Sequence, residues 1–336
     1  MNKKVQSAWL FLGITAMTTL SVNAAPDDNK ALPTQPVTVT SGLAKAELML
    51  GVESWSGENT YQTGYPVHWF DGIVENGYFP FSQLKFPLDC YMITAKGNVQ
   101  FHESWLISAS IKKDISSPGD QMIDNDWITA SNPGQLDVYS NSDISEFEGY
   151  EFDINSKYRF LGRESWSLNA GVGYIYQNWQ YTANLIQQYS PSGQTGYDYL
   201  GNGLPTIRYK IEYNIPYIQI GGKVNLDERF SLESNISYSP LVNAEDADQH
   251  LLREKVNQGD LEGTSWMFNI KGRYDVAEYW FMTISYDYKE IKTDGTMSAE
   301  FSDTSLYIYG VIPNHTVYEE TDSIQHTLAV NLGYSF

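Results

Sequence analysis

The end of the chain constrains its fold more than any other part. Counting back from Phe336, one face reads Phe336, Tyr334, Leu332, Val330 and Leu328, and the other Ser335, Gly333, Asn331, Ala329 and Thr327. Strict period-two alternation closing on an aromatic is the pattern of a strand with one face in lipid and the other in a polar interior. A strand that crosses a bilayer must find all its backbone partners in neighbouring strands, and only a closed barrel supplies them. Composition agrees: aromatics are 14% of the residues, with 25 Tyr and 9 Trp, yet mean hydropathy is −0.38. Outward apolar residues alternating with polar lumen residues, framed by aromatic girdles, produce that combination.

The alternation recurs. Val99, Phe101, Trp105, Ile107, Ala109 and Ile111 share a face opposite Gln100, His102, Ser104, Ser108 and Ser110. Trp266, Phe268, Ile270 and Tyr274 oppose Asn269, Lys271 and Arg273, and Trp280, Met282, Ile284, Tyr286 and Tyr288 oppose Thr283, Ser285, Asp287 and Lys289. Charges therefore fall on the lumen face, as their cost in lipid requires; Glu103 is an exception that belongs near an interface. The pattern predicts an all-β fold, a ten-stranded antiparallel transmembrane β-barrel, with strands at 44–54, 82–94, 99–112, 146–160, 165–181, 206–224, 229–240, 264–275, 279–292 and 321–336. Short turns are expected at Lys96-Gly97-Asn98, Gly162-Arg163-Glu164, Asp227-Glu228 and Asp275 to Glu278. Long polar loops are expected at 55–81, 113–145, 182–205, 241–263 and 293–320, all on the extracellular rim. Lys3 and Lys4, the apolar stretch Ala8 to Leu20 and Val22-Asn23-Ala24 read as a signal peptide over 1–24. A flexible segment, 25–40, then precedes the barrel, 41–336.

The net charge of −20 argues against nucleic acid as a partner and favours cationic ones. Cys90 is the sole cysteine, so no intrachain disulfide exists. Two acidic signatures stand out on separate long loops: Asp124-Asn125-Asp126-Trp127 and Asp246-Ala247-Asp248-Gln249-His250. Asp-x-Asp and Asp-x-His spacing in extended chain points both side chains the same way. Loop parity sets both signatures on one rim. Two carboxylates facing a carboxylate–imidazole pair suit the positioning and deprotonation of a water, with the imidazole as base near neutral pH. Crowding should raise the pKa of at least one acid. The same donors could instead ligate a divalent ion, and Asp and Asn are also ordinary loop residues. His102 reads as a lumen hydrogen-bonding group, and His68, His315 and His326 lack spaced partners.

These residues carry a resemblance. Met122 to Trp127 with Ser131-Asn132-Pro133-Gly134, then Asp246-x-Asp248-x-His250, together with Ser82-Gln83-Leu84, Glu151-Phe152-Asp153 and Pro216-Tyr217-Ile218, resemble the omptin family of outer-membrane endopeptidases, in order and over the mature barrel. The terminal Phe resembles an outer-membrane assembly signal. The resemblance implies an aspartic-type hydrolase at the cell outer membrane with an extracellular site, acting on exposed and basic polypeptides. It implies His250 as general base, Asp248 orienting it, and Asp124 and Asp126 holding the water and steadying the tetrahedral intermediate. It implies that Asp246 helps form a pocket for a basic side chain, with Asp137 a further substrate-binding acid. No metal and no cofactor is implied, but lipopolysaccharide is, as an activator and outer-membrane partner. The chain departs from the pattern in two places. Tyr61 stands where a second pocket acid is expected, with Glu58 nearby as a substitute, and the lipopolysaccharide-gripping positions hold Asn178, Glu212 and Asn257, with Tyr174 retained and Lys255 adjacent. The alternative function is a non-enzymatic adhesin or surface-binding barrel. A small porin is disfavoured, since side chains can largely fill so narrow a lumen.

Overall fold

The computed structural model describes residues 45–65, 68–70, 73–75, 78–129, 131–301 and 316–336. The expected signal peptide and leader, the side chain of His68, and His315 lie outside the described residues. The strands are β1 (Lys45–Tyr65), the short β2 (His68–Phe70) and β3 (Ile73–Glu75), β4 (Tyr78–Pro87), β5 (Tyr91–His102), β6 (Trp105–Asp114), β7 (Met122–Asp126), β8 (Val138–Gly162), β9 (Trp166–Tyr189), β10 (Tyr199–Leu200), β11 (Pro205–Asn225), β12 (Phe230–His250), β13 (Lys255–Asp275), β14 (Trp280–Phe301) and β15 (Thr316–Ser335). Ten of them close a ring, in the order β1–β5–β6–β8–β9–β11–β12–β13–β14–β15 and back to β1, antiparallel throughout. Towards the long-loop end β4 and β7 take over from β5 and β6, so that β1 pairs β4, β4 pairs β7 and β7 pairs β8. Asp89 ties the two breaks together by accepting from the backbone N–H groups of Gly119 and Asp120 at 2.9 and 3.0 Å.

The alternating faces sort as the sequence implies. Leu50, Val52, Ile111, Val172, Ile218, Ile236, Ile284, Leu328 and Leu332 all face outward and are exposed on the protein surface. Their polar neighbours face in. Across the lumen of the lipid-spanning half, Lys112 Nζ lies 3.1 Å from Glu53 and 2.8 Å from Glu151, Lys289 reaches Glu151 at 2.6 Å, and Lys96 reaches Glu53 at 3.1 Å. Buried charges of this kind are tolerable only when paired, and five strands contribute to this pairing. Trp55 adds an indole N–H to Glu53 at 3.1 Å and sits 5.0 Å beneath the Lys112 ammonium. Above this network lies an aromatic layer. Phe86 stacks on Tyr209 at 4.3 Å, Tyr181 leans on Phe86 at 5.0 Å, and Trp55 meets Trp179 edge-on at 5.2 Å.

Several expected boundaries are corrected. The strands run far past the lipid: β1, β9 and β12 reach Tyr65, Tyr189 and His250, and β8 and β13 start at Val138 and Lys255. Hydropathy marks where a strand leaves lipid, not where it stops hydrogen bonding, so these extensions looked like loops. No turn forms at Lys96-Gly97-Asn98. These residues sit within β5, and the chain reverses at Glu103-Ser104 instead. Glu103 is exposed in that turn, and His102 is exposed beside it, its Nδ1 accepting from the Ser104 N–H at 3.3 Å, rather than buried in the lumen.

Two bulges prepare the site. Between Ser239 and Val242, β12 carries one residue more than β13 and β11. Below the bulge Ile236 faces lipid; above it the even-numbered Val242, Ala244, Asp246 and Asp248 face in. A second irregularity in β8, between Ile144 and Glu146, separates inward Ser140 and Ser142 from inward Gly149 and Glu151. Bulges re-aim side chains in this way.

Candidate functional site

The extended strands enclose a cleft of about 750 Å³, lined by Asp124 and Asp126 on one wall and Asp248 and His250 on the other, with Tyr61, Leu84, Ile207, Met297 and Val317 among the residues between them. Each wall follows from strand geometry. β7 is held on both sides, Asp124 opposite Leu84 and Ser140, Asp126 opposite Ser82 and Val138. Period two turns Asp124 and Asp126 to the same face. The end of β7 is pinned by Trp127 N–H to Phe81 C=O at 2.8 Å and Asp137 N–H to Asp126 C=O at 2.9 Å. On β12, Asp246, Asp248 and His250 face Gly259, Asn257 and Lys255 of β13.

The electrostatics differ between walls. His250 Nε2 lies 2.9 Å from Asp248 Oδ2, and Asn257 Nδ2 donates to the same oxygen at 2.9 Å. Burial alone would raise the Asp248 carboxyl, but the imidazole and the Asn257 amide outweigh it, and Asp248 is held below the ordinary carboxylate range. Across the cleft, burial, then the charges of Asp126 and Asp248, push Asp124 well up. Asp126 is also raised, chiefly by burial, although the Ser82 hydroxyl and the basic side chains of Arg253, His250 and Lys255 oppose this. One wall therefore favours an ionised carboxylate beside an imidazole, and the other favours the protonated form of a carboxyl more than an ordinary side chain does. Asp124 Oδ1 and Asp248 Oδ1 are both buried with no hydrogen-bond partner among the described residues. Such an arrangement can hold a water between a base and an acid. Among the described residues no group of three or more His, Cys, Asp or Glu side chains is disposed to hold a metal ion.

The other expected residues fall elsewhere. Asp246 lies behind the cleft wall, accepting from Gly259 N–H at 3.0 Å. Glu58 is on the outer face of β1, 3.4 Å from Lys85, because even positions of β1 point outward while Trp55, Asn59, Tyr61 and Thr63 point in. It is not brought to the pocket. Tyr61 is, and its hydroxyl donates to Met297 Sδ at 2.8 Å. Asp137 does not line the cleft; it ties two loops together. Its carboxylate accepts from Thr129 N–H at 2.7 Å, Gln135 Nε2 at 2.7 Å, Ser192 Oγ at 3.0 Å and Gln194 Nε2 at 2.6 Å. Burial works against its charge, but these donors bring its pKa down to about 2.

Asn257 and Lys255 are corrections of a different kind. Asn257 is expected at a lipopolysaccharide-gripping position with Lys255 adjacent, yet both line the cleft, Asn257 as a direct partner of Asp248. Strand parity carried the signal: Trp266 faces lipid on β13, so the odd-numbered positions above it face in. Asn178, Glu212 and Tyr174 do lie on the outer side, where Asn178 donates to Glu212 at 2.8 Å and Tyr174 to Asn214 at 2.5 Å. Ser82 and Ser140, beside the two acids of β7, were not singled out by spacing and are supplied by the neighbouring strands.

A model of the omptin family matches residues 75–336. The chain is similar to Protease 7 of Escherichia coli O157:H7, 33% identical over 141 residues, which cover 40% of this chain and 44% of that protein. It is similar to the plasminogen activator of Yersinia pestis, 26% identical over 146 residues, covering 42% and 44%. The matched stretch thus spans under half the length of these curated relatives. The crystal structure of the outer membrane protease OmpT from Escherichia coli superposes with a TM-score of 0.70 at 20% identity, over 88% of this chain and 98% of that one, a likeness of fold.

Proposed function

The chain belongs to the omptin family and is an outer-membrane β-barrel, and on that footing we propose that its external cleft is the active site of an endopeptidase that uses an activated water. The observation that carries the proposal is the asymmetry of the two walls. His250, oriented by ionised Asp248 and itself steadied through Asn257, takes the proton of a water held between the walls. Asp124, raised by burial and by its acidic neighbours, keeps a proton and donates to the oxyanion as the carbonyl becomes tetrahedral. Asp126, hydrogen-bonded near Ser82, holds the partner position for that proton. No side chain becomes covalently attached, and His250 returns its proton to the leaving amine.

The substrates are polypeptide segments exposed outside the cell. The chain's charge of −20 favours the approach of cationic segments. Lipopolysaccharide remains part of the proposal as an outer-leaflet neighbour, but the outward positions Asn178 and Glu212 supply no cation to grip its phosphates. The test is cleavage of a randomised fluorogenic peptide library by the refolded barrel, with and without lipopolysaccharide and with a chelator present. Cleavage is expected to survive the chelator and to vanish in His250→Ala, while the heat-modifiable gel shift of the folded barrel persists. Cleavage retained by His250→Ala would refute the assignment. Target binding unchanged after replacement of both Asp124 and His250, with no cleavage at all, would favour the adhesin.

A further inference from the structure

The floor of the cleft beside Asp248 carries no charged side chain of its own. It is made by Tyr61, Met297, Val317 and Ala299. All four are nearly buried by one another and by their surroundings. The Tyr61 hydroxyl closes on Met297 Sδ at 2.8 Å, and its ring leans on Tyr209 at a centroid distance of 5.7 Å. Tyr209 is in turn stacked on Phe86. This floor is a supported aromatic–thioether surface, not a loose rotamer.

Two acids lie behind it. Met297 pairs with Gly259 across β13 and β14, and Gly259 pairs with Asp246 across β12 and β13. The side chain of Glu319 on β15 reaches over to the same glycine. A Cβ at position 259 would collide with the carboxylates of both Asp246 and Glu319, so the glycine is what lets the two acids meet. Glu319 is completely buried and Asp246 is 7% exposed, and neither lines the cleft. Burial and the neighbouring Asp246 charge push Glu319 far enough up to hold a proton at neutral pH beside the Asp246 carboxyl. The remaining carboxylate at the floor, Asp248, has His250 and Asn257 at Oδ2, and its buried Oδ1, without a partner among the described residues, is assigned to the water of the reaction above. A Lys or Arg side chain entering here would lose its water and meet a phenol, a thioether and aliphatic carbon, which is unfavourable for a charge. An apolar side chain would find complementary contacts.

Resting on the peptidase reading above, we propose that Tyr61 and Met297 set this cleft to take an uncharged, apolar substrate side chain beside the scissile bond, with Asp246 and Glu319 closed off beneath them. The acidity of the chain then draws cationic segments in, while the floor chooses an apolar residue within them for the cut. Tyr61 and Met297 are specificity-determining positions on this view.

The experiment compares matched fluorogenic peptides that differ only at the residue beside the cut, Leu, Met or Phe against Lys or Arg, on the full-length refolded barrel. The apolar series should win in kcat/KM by about tenfold or more, the scale on which an apolar pocket discriminates. Tyr61→Glu opens the floor and adds an accessible carboxylate, so the ratio should move towards Lys and Arg by at least about tenfold. Met297→Ala, a milder change, should extend acceptance to larger aromatic side chains and serves if Tyr61→Glu fails the heat-modifiability check. The same peptides are also titrated onto the His250→Ala barrel by fluorescence polarisation, which reads the pocket without chemistry. Wild-type preference for Lys or Arg in cleavage, or tighter binding of those peptides to His250→Ala, overturns the proposal. If no peptide is cut by correctly folded wild type, the peptidase reading fails instead, and the binding comparison still decides what the floor accepts.

Discussion

Replacing Asn257 by Ala isolates the support beneath the proposed base. Asp248 is 1% exposed, and its Oδ2 lies 2.9 Å from His250 Nε2 and accepts a hydrogen bond of 2.9 Å from Asn257. A hydrogen bond to a charged group contributes about 1.5–3 kcal/mol, and burial leaves little solvent to replace it. Divided by about 1.36 kcal/mol per pKa unit, that loss raises the Asp248 carboxyl by roughly one to two units. The sign follows from its present state. Asp248 is held below its ordinary value, so its ionised form is favoured above that value and is lost as pH falls through the depressed one. Without Asn257 the loss begins at higher pH. The acid limb of kcat/KM should therefore move up by roughly one to two units. The assay is initial-rate hydrolysis of a fluorogenic peptide from pH 4 to pH 9, with Asn257→Asp and Asn257→Gln alongside. Gln, which retains the amide donor, should recover part of the shift. An acid limb that stays in place, with rates within about twofold of wild type, would refute the idea that Asn257 sets the Asp248–His250 pair.

Two further outcomes test the wider electrostatic picture. Glu319 is raised from 4.5 to about 11 in the folded chain, so the native state binds its proton more tightly than the unfolded state, and this contribution to stability drains away as pH rises through that window. Glu319→Gln removes the ionisable group, so thermal melting should depend less on pH between about 5 and 9 than in wild type; an unchanged slope would mean that the carboxyl is not protonated in the native barrel. Lys112→Met leaves Glu53 with Lys96 alone and Glu151 with Lys289 alone, and breaking a buried pair from one side costs about 3–5 kcal/mol. Urea unfolding in detergent, followed by tryptophan fluorescence, should show that loss, and a midpoint equal to wild type would mean that water or the remaining lysines compensate.

The part of the fold most open to reading was the half in lipid. There one face meets hydrocarbon and the other a polar lumen, so β15, β14 and the lower part of β13 announce their faces residue by residue. Beyond the lipid edge both faces are wet, and the alternation fades although the hydrogen bonding continues. That is why residues 241–250 looked like a loop when they are the upper part of β12. Gly97-Asn98 has the local chemistry of a turn, yet Lys96 and Asn98 pair with Ser110 and Ser108, and the reversal waits for Glu103-Ser104. Local preference yielded to register. In the cleft, the spacing of Asp124 with Asp126 and of Asp248 with His250 was visible, because period two governs neighbours on one strand. Asn257, Ser82 and Glu319 come from other strands, and only pairing across the sheet brings them near.

The extra residue in β12 near Pro240 and Leu241 has a consequence for how such a barrel can change. Identity and phase are separate variables along this strand. Every side chain of the upper wall could be kept, yet removal of one residue at the bulge would rotate the wall by half a pleat. Asp246 and Asp248 would then turn towards the exterior, and Ala247 and Gln249 would line the cleft. Chain length at one non-reacting point thus acts as a parity bit for the whole rim, and reading it wrongly would silence the site without altering any residue in it.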